Sequence, residues 1–308
     1  MKKIRIIFFG ILYTIIFFSN ILAVENRILF KVNNKIITSI DILTEIKYLE
    51  IINKDFEKMQ TNQRFEIAKK SLIREKIKEI ELIRILKIIK VEDKFFEKLL
   101  IDYFKTYNIK TISDFDDFFL SYDINPNLIK KKISIEILWN QLIYTKFKEN
   151  IKIDKETIKN EIRKNTKKKE FLLSEILFNI DQDEKLDSKF SLLEKKINDK
   201  GFSQTALSYS VSDTANKGGK LGWISETIMS PKIKETIKKI KIGNYTKPMV
   251  IPGGFLILKI EDIREVDNNS DLNAEINKVV KDKTNEQLNQ FSNIYFNKIK
   301  KDVTINEL

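Results

Sequence analysis

The 308-residue chain contains no cysteine and no histidine, and few of the residues that break regular structure: 8 glycines and 4 prolines. The missing cysteines exclude a disulfide scaffold, which small exported domains use when they cannot bury enough apolar surface. A chain this long can build a core without one, and its length suits two domains. The scarcity of glycine and proline leaves few turns, so the natural reading is a mostly helical protein. Hydrophobic residues make up 42% and charged residues 32%, which fills cores and excludes global disorder. No recognisable nucleic-acid-binding motif is present.

The first segment reads as an address. Lys2, Lys3 and Arg5 precede an apolar run from Ile6 to Phe18, and Ala23 offers a small residue for cleavage. That is the layout of a secretory signal peptide over residues 1–23, and the run is shorter than the ~20 residues a spanning helix needs. Left uncleaved, it would be a membrane anchor. Removing Lys2, Lys3 and Arg5 lowers the formal charge from +12 to +9. The remaining excess is either a solvated lysine-rich surface or a source of weak association with anionic surfaces.

After the leader, Ile28-Leu29-Phe30 and Lys35-Ile36-Ile37 flank Asn33-Asn34, a hairpin pattern. Thr38 and Asp41 form a capping-box-like helix start. A long amphipathic helix is expected over Phe65–Ile89, with Glu75 pairing to Lys78, three residues on. A second is expected over Val91–Tyr107, and a third begins at Thr111. Asn125-Pro126 opens another, which carries Trp139. Asp154 caps a short one. Phe95, Phe96, Phe104, Phe115, Phe118 and Phe119 are either core or an apolar cradle for unfolded chains. The basic run Arg163–Lys169 and the polar run Asp267–Asp271 are expected linkers, followed by a helix over Leu272–Ile299 and a strand at Val303–Ile305.

Between the linkers, Phe171–Phe178 reads as a buried strand. Two helical stretches follow, separated by Gly201, then the loop Lys217-Gly218-Gly219-Lys220-Leu221-Gly222-Trp223. A helix starts near Pro231, and two β-like runs, Tyr245–Ile251 and Phe255–Ile260, are joined by Pro252-Gly253-Gly254. Phe202, Ala206, Leu207, Tyr209-Ser210, the Gly-Gly-Lys-Leu-Gly-Trp loop, Gly243-Asn244-Tyr245 with Pro248, and Gly254–Lys259 form an ordered set. This set resembles the parvulin (PpiC, or rotamase) family of peptidyl-prolyl isomerases. Val32-Asn33-Asn34 through Asp41, with the helices that follow, resembles the N-terminal domain of SurA-type periplasmic chaperones.

The resemblance implies an α+β protein. A mostly helical chaperone module (24–166) would be completed by the C-terminal helix and strand (271–308). A parvulin-like domain (170–266), a small antiparallel sheet surrounded by helices, would be inserted between them. It also implies two histidines beneath the proline pocket, whose positions hold Glu175 and Phe255 here. The polar residue after the Tyr-Ser pair falls at Ser212 or Asp213. Leu221, Trp223, Met229, Ile233 and Phe255 would form the substrate pocket, and Glu175, Ser212 and Asp213 a degenerate catalytic set.

Prolyl isomerisation has to overcome amide resonance, about 18–20 kcal/mol. It needs an apolar seat and hydrogen bonds to the twisted amide, but no metal or cofactor. The expected function is a periplasmic chaperone for unfolded or extended polypeptides, outer-membrane proteins among them, with weak or absent isomerase activity. The alternative is an active parvulin isomerase.

Overall fold

The computed structural model describes residues 26–164, 167–181, 183–267 and 272–308. The expected leader over 1–23 lies outside them, as does most of the Asp267–Asp271 run. Among the described residues no helix is long and apolar enough to cross a membrane.

The chain opens with strands β1 (Ile28–Val32) and β2 (Lys35–Thr38), which pair antiparallel across Asn33 and Asn34. Asn33 takes the left-handed conformation the turn requires (φ 49°). Helix α1 (Ser39–Ile52) starts on a complete capping box: Thr38 and Asp41 satisfy each other's backbone N–H groups. Then come α2 (Lys54–Glu57), the long α3 (Thr61–Leu86), α4 (Asp93–Phe104), α5 (Ile112–Leu120), α6 (Pro126–Phe147) and α7 (Lys155–Lys164). Thr111 with Asp114, Asn125 with Pro126, and Asp154 open α5, α6 and α7 respectively.

The next unit is β3 (Lys167–Phe178), α8 (Leu186–Lys200), α9 (Phe202–Tyr209), β4 (Lys220–Ser225), α10 (Pro231–Ile237), β5 (Met249–Ile251) and β6 (Gly254–Asp267). Its four strands form an antiparallel sheet in the order β4-β3-β6-β5. Helix α11 (Leu272–Lys300) and strand β7 (Ile305–Glu307) end the chain.

The terminal strand returns to the beginning. It pairs antiparallel with β1, Phe30 opposite Glu307 and Val32 opposite Ile305, and makes a β2-β1-β7 sheet. Helix α11 enters the same core. The indole N–H of Trp139 donates to the buried Ser292 hydroxyl (2.8 Å), Tyr295 stacks on the indole, and Tyr295 and Phe296 join the large apolar cluster of the helices. Phe104, Phe115 and Phe119 are fully buried there, edge to face, so packing claims them. Phe95 keeps 52% of its surface exposed and is the one of the six that core packing leaves out.

Several sequence expectations change. The glycine-rich loop yields a strand, β4, because Lys220–Ser225 finds the free edge of β3; the register shifts there, between Leu173 and Ser174. Lys167–Lys169 are not linker but the start of β3, paired with Asp267–Glu265. The Tyr245–Ile251 run contracts to Met249–Ile251, with Tyr245 making an isolated bridge to Lys259. Glu75 does not pair with Lys78. It binds Lys132 of α6 (2.6 Å), which also holds Glu45 (2.9 Å), while Lys78 points the other way.

Candidate functional site

The two faces of the four-stranded sheet do different work. The alternation of β3 and β6 sends Ile176, Phe178, Phe255 and Ile257 toward α8 and α9. It sends Phe171, Leu173, Leu256, Leu258 and Ile260 to the opposite face, against Met229, Ile237 and Met249. On that second face lies a cavity of about 450 Å³. Leu221 and Trp223 reach it from β4, Met229 from just before α10, Ile233 from α10 itself, and Leu173, Leu177, Leu256 and Leu258 from the sheet. Arg264 sits over the Trp223 ring (4.1 Å) and holds it in place.

Four of the five residues expected to seat substrate therefore meet at one hollow. Phe255 does not. It stacks on Phe178 (5.6 Å) on the far face, and its neighbour Leu256 takes the place by the hollow. A shift of one residue along a strand exchanges faces.

Glu175 lies in the middle strand between Leu173 and Leu177 and opens on the hollow. Its backbone N–H donates to the Gly219 carbonyl (2.7 Å). Gly219 has φ +77°, and a Cβ there would lie 2.1 Å from the Glu175 carbonyl oxygen; only glycine lets the loop come this close. The carboxylate accepts from Thr214 Oγ1 (2.8 Å). Thr214 is 2.7 Å from the Ser212 hydroxyl, and Ser212 is 3.1 Å from Ser210. A chain of hydroxyls thus ends on one carboxyl group. Burial pushes the Glu175 pKa up, the hydrogen bonds from Thr214 and Ser212 offset part of that, and the charge of Asp213 adds to the rise.

Asp213 answers to another module. Its carboxylate receives Arg74 (2.7 Å) and the fully buried Lys78 (3.1 Å), both from α3. Loss of water pushes its pKa up, but the charges of Lys78 and Arg74 prevail and hold it far below the carboxylate range. Arg74 also donates to the Val211 carbonyl (3.1 Å), Lys70 to Ser208 (2.7 Å), and Asn216 to Ser71 (3.1 Å). The segment carrying Ser212 and Asp213 is therefore clamped from behind by α3.

Sequence reasoning missed Ser210, Thr214 and the α3 cations. The alternation of hydroxyls at 210, 212 and 214 was a usable signal; the α3 contacts, more than 130 residues away in the chain, had none. It also missed one wall of the cavity. Asp282, Glu286 and Asn293 of α11 face it, and their spacing puts them on one helical face.

Residues 171–262 match the model of the rotamase family, the PPIC-type peptidyl-prolyl isomerase domain. That stretch is similar to a parvulin domain, and the chain is similar to SurA chaperones. It is 26% identical over 156 residues to a chaperone SurA of Pseudomonas putida, a match that covers 47% of this chain and 36% of that one. The chain thus spans about a third of that relative's length. A crystal structure of a PpiC-type isomerase domain is 31% identical, over 32% of this chain and 93% of that one, with a TM-score of 0.27. A structure from work on PEB4 and Cj1289, two SurA-like chaperones of Campylobacter jejuni, is 18% identical over 92% of this chain and 99% of that one, with a TM-score of 0.36.

Proposed function

We propose that this protein is a periplasmic chaperone that holds unfolded or extended polypeptides, outer-membrane proteins among them. In this reading the SurA-like relatives supply the class of function, and the parvulin domain grips chain with little or no prolyl turnover. The observation that carries it is the makeup of the hollow: apolar walls large enough for a proline ring, above a carboxyl–hydroxyl chain in a protein without histidine.

Turnover requires that the twisted amide be held more tightly than the planar one. The polar groups beneath the hollow, on the sheet side, already have partners. Ser210, Ser212 and Thr214 bond to one another and to Glu175, and Asp213 is neutralised by Arg74 and Lys78. An apolar seat with its polar groups engaged binds both amide states alike, which gives affinity without rate. The second reading is an active parvulin isomerase. It draws on the raised pKa of Glu175, since a protonated carboxyl facing the hollow could donate to the twisted amide nitrogen.

Two assays on the full chain separate the readings. Stoichiometric protein should suppress aggregation of an unfolded client while leaving cis-to-trans relaxation of a prolyl tetrapeptide near its uncatalysed rate. Clear catalysis that falls about tenfold, or 1.4 kcal/mol, in Met229→Ala or Glu175→Ala would establish the isomerase instead.

A further inference from the structure

Helix α11 crosses the mouth of the parvulin hollow and is fastened on both sides of it. At one end Lys283 donates to the Ile228 carbonyl (3.0 Å), and Val279 joins Ile158, Ile162 and Ile228 in an apolar cluster. At the other, the β5–β6 turn lies against the helix: a Cβ on Gly253 would stand 3.6 Å from Asn293 Cβ. The span between is polar, and its face toward the hollow carries Asp282, Glu286 and Asn293.

The charge of this cleft is opposite to that of the chain. The protein carries 56 lysines and arginines against 44 acids, yet among the described residues no lysine or arginine lines the cavity, while Glu175, Asp213, Asp282 and Glu286 do. Asp213 is already neutralised by Arg74 and Lys78. Asp282 and Glu286 have no ion-pair partner within 4 Å among the described residues; the cation one turn back, Lys283, is engaged by Ile228. Asn293 gives a second, independent sign of a missing ligand. It is 8% exposed, lines the cavity, and its side-chain oxygen is buried with no hydrogen-bond donor. An unmet buried acceptor costs about 1–3 kcal/mol, which a bound donor would recover.

We propose that α11 and the parvulin hollow form one composite cleft for an extended polypeptide in which an apolar residue adjoins a lysine or arginine. The apolar side chain enters between Met229 and Leu256, a main-chain N–H of the segment donates to Asn293, and the basic side chain meets Asp282 and Glu286. The proposal rests on the polypeptide-binding reading above and adds a charge preference that the protein's overall charge opposes. Burial pushes the Glu286 carboxyl up, partly offset by Lys283, as befits an acid awaiting a cation.

The test is fluorescence anisotropy on the full chain with three labelled peptides that share a Phe-Pro core and differ only in flanking Lys, Gln or Glu. Near-physiological salt limits distant surface charges to a Debye length of about 8 Å. The Lys peptide should bind about tenfold tighter than the Glu peptide, with Gln between. The Asp282→Asn/Glu286→Gln variant should shrink that ratio to about twofold or less and leave the Gln peptide unaffected. Asn293→Ala should weaken all three alike. Equal binding of the Lys and Glu peptides, tighter binding of Glu, or a Lys preference that survives in the double variant overturns the charge assignment alone. If none of the three peptides binds, the polypeptide-binding reading falls with it.

Discussion

The contact between Asp213 and α3 offers a direct test of how the parvulin domain is held. In Asp213→Asn the carboxylate that receives Arg74 and Lys78 becomes a neutral amide. Arg74 keeps the Val211 carbonyl and the Phe296 ring, 4.2 Å away. Lys78, with no exposed side-chain surface, keeps Glu136 (2.6 Å) and the Trp139 ring (5.5 Å). Removing one partner of a fully buried ion pair costs about 3–5 kcal/mol. The Asp213 side chain is 36% exposed, so solvent screening lowers the expected cost to about 2 kcal/mol. For a chain of this size that is a loss of about 5 °C in melting temperature.

Hydrogen exchange should show the loss falling on Ser210–Gly219 and on the middle of α3. Removing the buried cation with its counter-ion, in Lys78→Met/Asp213→Asn, should recover at least half the loss, because Glu136, the partner Lys78 leaves behind, has a side chain 40% exposed and stays solvated. A melting temperature within about 1 °C of wild type in Asp213→Asn, with exchange unchanged, would refute the reasoning.

Three further outcomes follow from the geometry. Gly219→Ala should cost about 3 kcal/mol or more, because its Cβ meets the Glu175 carbonyl; Gly243→Ala, also at positive φ but with nothing within 4 Å, should cost only about 1–2 kcal/mol in the same denaturant titration. Trp139→Phe leaves the Ser292 hydroxyl buried without its donor and should lower the melting temperature by about 3–6 °C in a calorimetric scan. Glu175→Gln should change the pH dependence of stability. The folded-state pKa of Glu175 is raised above 4.5, so the folded state binds the extra proton and wild-type stability falls as pH rises from about 4.5 through the folded value. The variant lacks that fall, and its advantage should grow across the same window in parallel urea titrations.

The caps were readable because they are local. Thr38 with Asp41, Thr111 with Asp114, and Asn125 with Pro126 satisfy backbone groups within four residues, and each helix begins where its cap does. The expected pocket set came from the parvulin resemblance, and Leu221, Trp223, Met229 and Ile233 of it line the cavity. Phe255 was misplaced because strand register decides which face a side chain takes, and the sequence pattern does not distinguish Phe255 from Leu256 as a pocket residue. Strand β4 went unread because Gly222 interrupts the alternation that would mark it.

Local sequence was enough to specify most of the helices and the absence of histidine, since each depends on residues a few positions apart. Only the folded chain could join β7 to β1, set Arg74 and Lys78 behind Asp213, and lay Asp282, Glu286 and Asn293 across the hollow. Those contacts span tens to hundreds of residues. Burial, packing and charge settle them together, and no short window of sequence contains both partners.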